Sequence, residues 1–277
     1  VIAPRTAQTT AAVAAHYDEL DGFYRDIWGE HVHHGYFLSG DESVAQATDA
    51  LIRLLADRLG LAAGQAVCDI GCGYGATAAF YARRFGVDVT GLTVSAAQAA
   101  RAPAVAGVTI LQRDWLANGL PDQTFDRAYA VESSEHMPDK QRFFDEAYRV
   151  LKPGGVLGVC AWLASGTPKS WEIRHLLEPI CREGRLPGMG DEQDYRAFGE
   201  QAGFVVTACD DISAQVGRTW SICARRVVGR CLTAPRYARF LLDATAGNRV
   251  FALTLFRLIA AYRTRAMRYC VLVYRKG

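Results

Sequence analysis

The stretch Ala66-Val67-Cys68-Asp69-Ile70-Gly71-Cys72-Gly73-Tyr74-Gly75 decides the fold. A short apolar strand, Ala66 to Ile70, runs straight into alternating glycines, and a helical segment, Ala76 to Phe85, follows at once. Glycine between a strand and a helix lets backbone approach a ligand closely and adopt positive φ. The helix N-terminus beyond it favours a carboxylate or phosphate. The spacing is GxGxG, not the GxGxxG preferred by dinucleotides, and no Walker-type lysine follows, which disfavours a nucleoside triphosphate.

Outward from this turn the pattern repeats. Strands are expected at Val87 to Leu92, Val108 to Leu111, Phe125 to Val131, Val156 to Ala161 and Val205 to Ala208. Helices are expected at Ala96 to Arg101 and at Lys140 to Leu151, the latter stopped by Lys152-Pro153-Gly154-Gly155. Upstream, Thr10 to Trp28 reads as one helix, and Asp41 as the N-cap of a second carrying Val44, Ala47, Leu51, Leu54 and Leu55 on one face. Strands separated by helical crossovers predict an α/β fold with a mainly parallel, Rossmann-like sheet. The expected organisation is a helical cap over 1–60, a cofactor-binding core over 61–162, a lid insertion and helix over 163–203, and the remaining strands over 204–277. Ser170 to Gly190 and Ser213 to Arg265 break the alternation. They follow strands, where open α/β sheets place their ligands, and read as lid insertions.

Half of the 277 residues are hydrophobic and 22% are charged, so a sizeable core is available and wholesale disorder is excluded. Val250 to Tyr262 is interrupted by Arg257 and falls short of the ~20 apolar residues of a membrane span. Val1 to Thr10 has no apolar core, so no secretory signal is read there. The eight cysteines show no CxxC spacing, which predicts reduced thiols and a cytoplasmic protein. The net charge of +2 is uneven: Ile212 to Gly277 carries thirteen Arg or Lys against Asp243 alone. Such asymmetry marks either an anionic partner or a basic face set against an acidic half.

Asp69 to Gly75, Asp114-Trp115 and Leu151-Lys152-Pro153-Gly154-Gly155 together resemble a class I S-adenosylmethionine-dependent methyltransferase. Trp28-Gly29-Glu30-His31-Val32-His33-His34-Gly35-Tyr36, Gly91-Leu92-Thr93-Val94-Ser95 and Glu132-Ser133-Ser134-Glu135-His136-Met137 are similar to the γ-tocopherol and sterol C-methyltransferase branch. The resemblance implies a seven-stranded sheet whose last strand, Ala266 to Tyr274, inserts antiparallel. It implies that Asp69 and the turn Gly71, Cys72, Gly73 and Gly75 hold the amino acid end of S-adenosylmethionine. Thr93, Val94 and Gln98 would then flank the ribose, and Asp114 and Trp115 the adenine. Tyr17, Trp28 and His33 would fold over the methyl site.

Methyl transfer from a sulfonium leaves the protein chiefly to orient, desolvate and manage a proton. His136, after the fourth strand, has the near-neutral pKa of a base, or it caps the next turn or contacts the cofactor. Glu132 faces the acceptor or the cofactor's ammonium, and Glu135 reads as a helix-start charge. His31, His33 and His34 lie on one short turn and do not suggest a tetrahedral metal site. Trp162, Trp171 and Trp220, with Tyr195 and Tyr237, suggest an aromatic acceptor pocket. The leading expectation is carbon methylation of a hydrophobic, prenylated or aromatic natural-product intermediate, yielding S-adenosylhomocysteine. Nitrogen or oxygen transfer is the runner-up. A nucleic-acid methyltransferase and a non-catalytic cofactor-binding partner are the competing classes, the former lacking its Asn/Asp-Pro-Pro-aromatic motif. A homo-oligomer is expected from the N-terminal helix and aromatic turn. Arg218, Arg225 and Arg226 are candidate ligands should the acceptor be a diphosphate.

Overall fold

The structure, a computed structural model, describes residues 1–27, 32–243 and 251–277. Where composition suggests one N-terminal helix there are two, α1 (Thr10–Glu19) and α2 (Asp21–Ile27). The chain bends at Leu20, which brings Leu20, Tyr24 and Ile27 into one apolar cluster with Trp220 and Leu258. The next helix, α3 (Val44–Leu59), is capped by Ser43 and not by Asp41. The Ser43 hydroxyl accepts the Gln46 N–H while the Gln46 side chain accepts the Ser43 N–H, a reciprocal box that Asp41 is too far upstream to make.

The alternation then runs β1 (Ala66–Ile70), α4 (Ala76–Phe85), β2 (Asp88–Thr93), α5 (Ala96–Arg101), β3 (Val108–Gln112), β4 (Phe125–Val131), α6 (Lys140–Val150) and β5 (Leu151–Ala164). β5 absorbs the expected turn at Lys152 to Gly155, because Leu151 already pairs with Phe125 ahead of a register shift. Next, α7 (Ser170–Glu172) passes through a π turn (Ile173–Leu177) into α8 (Glu178–Glu183), followed by α9 (Glu192–Gln201) and β6 (Phe204–Asp211). The second insertion holds α10 (Ser213–Val216), α11 (Arg218–Thr233), α12 (Pro235–Leu242) and α13 (Phe251–Arg263), and β7 (Met267–Lys276) closes the sheet.

The seven strands lie in the order β3-β2-β1-β4-β5-β7-β6. β1 to β5 pair in parallel, and β7 runs antiparallel to both β5 and β6. The strand order reverses between β1 and β4, so a crevice opens at the C-terminal ends of those strands, where the glycine turn begins. Phe143, Phe144, Tyr195 and Tyr274 fill one side of the sheet, and Leu51, Leu55, Tyr81, Tyr129 and Tyr269 the other. A third cluster joins α2 to both lid insertions through Ile27, Leu177, Ile180, Trp220, Leu255 and Leu258. Each such buried side chain contributes roughly 1.5–3 kcal/mol, so α2 and the two insertions pack as one unit. Among the described residues no helix is long and apolar enough to cross a membrane.

Candidate active site

Two adjoining cavities follow the ends of β1, β2 and β4. One, of about 630 Å³, is lined by Gly71, Gly73, Thr93, Val94, Gln98 and Trp115. The other, of about 390 Å³, is lined by Asp69, Cys72, Tyr74 and His33, and both share Gly71, Gly73 and Val32. Gly71 has a φ of 81°, and a Cβ there would stand 2.4 Å from that of Ser133. No other residue fits, and the bare backbone becomes the floor of the cavity. Ser133 is fixed beneath it by donating its hydroxyl to the Ile70 carbonyl. Asp69 is 3% exposed and accepts the Tyr129 hydroxyl at 2.7 Å. Burial pushes its carboxyl up to about 7, against the lowering effect of that hydrogen bond. Thr93 donates to Gln98 Oε1 at 2.8 Å, so the two neutral side chains proposed for the ribose do meet. Trp115 is buried and donates its indole N–H to the Phe143 carbonyl at 3.2 Å.

These residues fit S-adenosylmethionine: a buried carboxylate for an ammonium, a cradle that a Cβ would fill, neutral acceptors, and a flat indole. Of three further residues expected here, two shape the surrounding turns and one lines a cavity. Gly75, with a φ of 76°, is the N-cap of α4 and shapes the turn from behind, without lining either cavity. Asp114 caps the short 3-10 turn Trp115–Ala117 by accepting the Leu116 N–H at 2.9 Å, and its neighbour Arg113 lines the cavity instead. Cys72 lines the smaller cavity as a protonated thiol, its pKa raised first by burial and then by Asp69.

A further cavity of about 410 Å³ is lined by Tyr17, Tyr24, Val32, Glu132, His136, Trp162, Gly184 and Trp220. It meets the first of these cavities at Tyr17, Val32, Glu132 and His136. Glu132 follows β4 with a φ of 53°, a left-handed backbone that costs a non-glycine residue about 1–3 kcal/mol. Four donors hold its carboxylate. Oε1 accepts the His34 N–H at 2.7 Å, His34 Nδ1 at 2.9 Å and the Tyr269 hydroxyl at 2.8 Å, and Oε2 accepts the Trp162 indole at 2.8 Å. Burial alone would raise this carboxyl, but the His34 charge and hydrogen bonds, with His33, bring it down to about 2. Glu132 is therefore a fixed negative charge in the wall.

His136 differs. Its Nδ1 lies 3.4 Å from the Arg185 carbonyl, which only accepts, so Nδ1 carries the proton. Nε2 then accepts from the Tyr17 hydroxyl at 2.9 Å. Burial holds this imidazole down to about 3, with His16 adding to the effect, so it is neutral. Glu135 does open the short 3-10 turn Ser134–His136, as expected of a helix-start charge, but it is buried there. It is 2% exposed, its Oε1 accepts the Trp162 backbone N–H at 2.6 Å, and burial raises its pKa.

The acceptor-side expectations divide. Trp162 and Trp220 line the third cavity, with ring centroids 5.3 Å apart. Trp171 is 47% exposed on the one-turn α7 and lines no cavity described here. Tyr195 is core, and Tyr237 is tied to Asp26. His33 lines the smaller cofactor-side cavity. Trp28 and His31 lie outside the described residues. Sequence reasoning missed His34 and Tyr269 as holders of Glu132, and Tyr24 as a wall. The adjacent histidines carried the available signal, since neighbours on a non-helical segment point different ways.

The family model of mycolic acid cyclopropane synthetase matches residues 5–231. The chain is 29% identical over 301 residues to the chloroplastic tocopherol O-methyltransferase of Arabidopsis thaliana, covering 99% of this chain and 84% of that one. It is 32% identical over 232 residues to the 27-O-demethylrifamycin SV methyltransferase of Amycolatopsis mediterranei, covering 81% and 85%. It is also 32% identical over 229 residues to a probable chloroplastic tocopherol O-methyltransferase of Oryza sativa, covering 75% of this chain and 63% of that protein's length. In three dimensions it matches a mycolic acid cyclopropane synthase complexed with S-adenosylhomocysteine, with a TM-score of 0.85 at 22% identity over 98% of this chain and 99% of that one. The glycine turn, the strand order and these likenesses agree: the chain belongs to the mycolic acid cyclopropane synthetase family and is an S-adenosylmethionine-dependent methyltransferase.

Proposed function

We propose that the acceptor is a hydrophobic small molecule, a prenylated or aromatic natural-product intermediate, and that it is methylated on carbon. The observation that carries this is the junction of the two cavities at Glu132 and His136, with aromatic walls beyond it. The bound cofactor supplies an electrophilic methyl group on a sulfonium. Asp69 and the Gly71–Gly73 backbone would hold its amino acid end, and Thr93 and Gln98 its ribose. Tyr17, Tyr24, Trp162 and Trp220 bind the acceptor and exclude water. Methylation on carbon would leave positive charge on the acceptor beside Glu132. Glu132 stabilises it as a permanently ionised carboxylate, and the ring faces add cation–π attraction.

The proton then decides the atom. A histidine held near 3 is too weak a base to activate a hydroxyl. It accepts readily from a C–H beside a carbocation, which is a far stronger acid. His136 Nε2 takes that proton as the Tyr17 hydroxyl gives way. Oxygen transfer is the second reading, favoured by the names of the Arabidopsis and Amycolatopsis relatives. The test is transfer of labelled methyl from S-adenosylmethionine to prenylated aromatics, prenyl diphosphates, sterols and amines. Label in a carbon-bound methyl is expected, and label only on oxygen or nitrogen overturns the carbon reading.

A further inference from the structure

We infer that Glu192, Cys209 and Cys270 form a site for a thiophilic divalent cation of the zinc class. One carboxylate oxygen and the two sulfurs all lie within 4.8 Å of one another, and among the described residues no other three His, Cys, Asp or Glu converge this closely. The three come from different elements. Glu192 opens α9, Cys209 lies on the edge strand β6, and Cys270 lies on β7. In the β6–β7 ladder Cys209 pairs with Leu272 and Asp211 with Cys270. Side chains two residues apart on a strand share a face, so the cysteines are diagonal neighbours on one side of the sheet. Nothing in the linear sequence reveals this, since no two of the three are close in it.

The donor chemistry is that of a soft, tetrahedral ion. With metal–sulfur bonds of about 2.3 Å and metal–oxygen bonds of about 2.0–2.2 Å, tetrahedral donors stand roughly 3.5 Å apart. The trio reaches that spacing by drawing in slightly, and solvent supplies the fourth ligand. Two thiolates and a carboxylate around a divalent ion leave one net negative charge. Arg196 balances it: its Nε donates to Glu192 Oε1 at 2.9 Å, and its guanidinium also reaches Cys209. A ligating carboxylate steadied by a second hydrogen bond is the usual outer shell of such sites. Glu192 and Cys209 are half-buried and Cys270 is buried, so solvent reaches the site from the side of the first two. Binding releases the two thiol protons to solvent and moves no electrons.

The placement gives the site a consequence for the active centre. Cys270 follows Tyr269, whose hydroxyl holds Glu132, and it pairs with Ala161 next to Trp162. A bound ion ties α9 and the edge strand to the strand that presents Tyr269.

The experiment is a cadmium titration of the full chain, kept reduced with a phosphine, following sulfur-to-cadmium charge-transfer absorbance, with zinc as competitor. One equivalent should saturate the band, and zinc should abolish it. Cys209→Ser should eliminate the band while still binding S-adenosylhomocysteine, which shows that it is folded. Glu192→Gln should keep the band but raise the midpoint cadmium concentration about tenfold or more. No band in the parent chain, or a band unchanged in Cys209→Ser, overturns the site. So does finding Cys209 and Cys270 already joined as a disulfide that the phosphine does not open.

Discussion

Replacing Asp69 by Asn should make the free protein more stable and the liganded one less so. Burial raises the Asp69 carboxyl from 3.8 to about 7. A carboxyl that ionises less readily in the folded chain than in the unfolded one favours folding at low pH. That contribution is whole below the unfolded pKa, shrinks as pH climbs through the interval, and is gone above the folded pKa. At about 1.4 kcal/mol per unit, the ionised carboxylate at about pH 8 leaves the free fold roughly 4 kcal/mol worse off than a neutral isostere. Asn keeps the volume and an oxygen for the Tyr129 hydroxyl. Asp69→Asn should therefore raise the Tm of the free protein by on the order of 10 °C at about pH 8. Near pH 4.5, where native Asp69 is protonated, the gain should shrink to roughly a quarter. S-adenosylhomocysteine, whose ammonium loses its carboxylate partner, should bind about a hundredfold more weakly at about pH 8. Differential scanning fluorimetry at both pH values and calorimetric titration measure all three. An unchanged Tm at about pH 8, an equal gain at both pH values, or undiminished affinity would refute the reasoning.

Glu132→Gln turns an amide N–H toward either the His34 N–H or the Trp162 indole, both of which only donate, and should cost about 3 kcal/mol in chemical denaturation. It should lower single-turnover methyl transfer by about 10²–10³-fold while leaving S-adenosylhomocysteine affinity nearly unchanged. With Glu132 held at about 2 and His136 at about 3, kcat should be flat between about pH 5 and pH 8. The KM for S-adenosylmethionine should instead rise below about pH 7 as Asp69 takes up a proton. A rising limb in kcat near 6.5, the ordinary histidine value, would show that His136 is not held neutral.

The glycine turn and the sheet were readable because they rest on local rules: a strand, glycines where a side chain would collide, and a helix. Thr93 and Gln98 were readable because five residues separate them around one turn. Glu132 and His136 follow β4 directly. What surrounds them was not. Tyr269 reaches Glu132 across 137 positions, because β7 inserts between β5 and β6. No periodicity records that return. His33 and His34 are indistinguishable by type, and only the fold sends one toward the cofactor side and the other to Glu132. Trp171 was misplaced because α7, a single turn, carries no period from which to read a face.

The uneven charge has its explanation in how α2 and the two insertions pack. Arg236 pairs with Asp26 at 2.8 Å, Arg257 with Glu183 at 2.6 Å, and Arg226 donates to the Ile27 carbonyl at 2.5 Å. Each contact ties a basic C-terminal helix to the acidic first part of the chain. They are not equal. Arg236 is 74% exposed, and such a pair contributes at most about 1 kcal/mol. Glu183 is 5% exposed and also accepts the Thr254 hydroxyl, so α8 and α13 are held by a largely desolvated group. Arg218 lies over the Phe37 ring at 5.5 Å, and Arg226 borders a separate cavity of about 260 Å³. None of Arg218, Arg225 or Arg226 lines the acceptor cavity. The basic segment thus packs against the acidic part of the chain beside an aromatic cavity in which, among the described residues that line it, Glu132 is the ionised one. An acceptor of the proposed kind would meet aromatic ring faces and, at the carbon that gains charge, the Glu132 carboxylate.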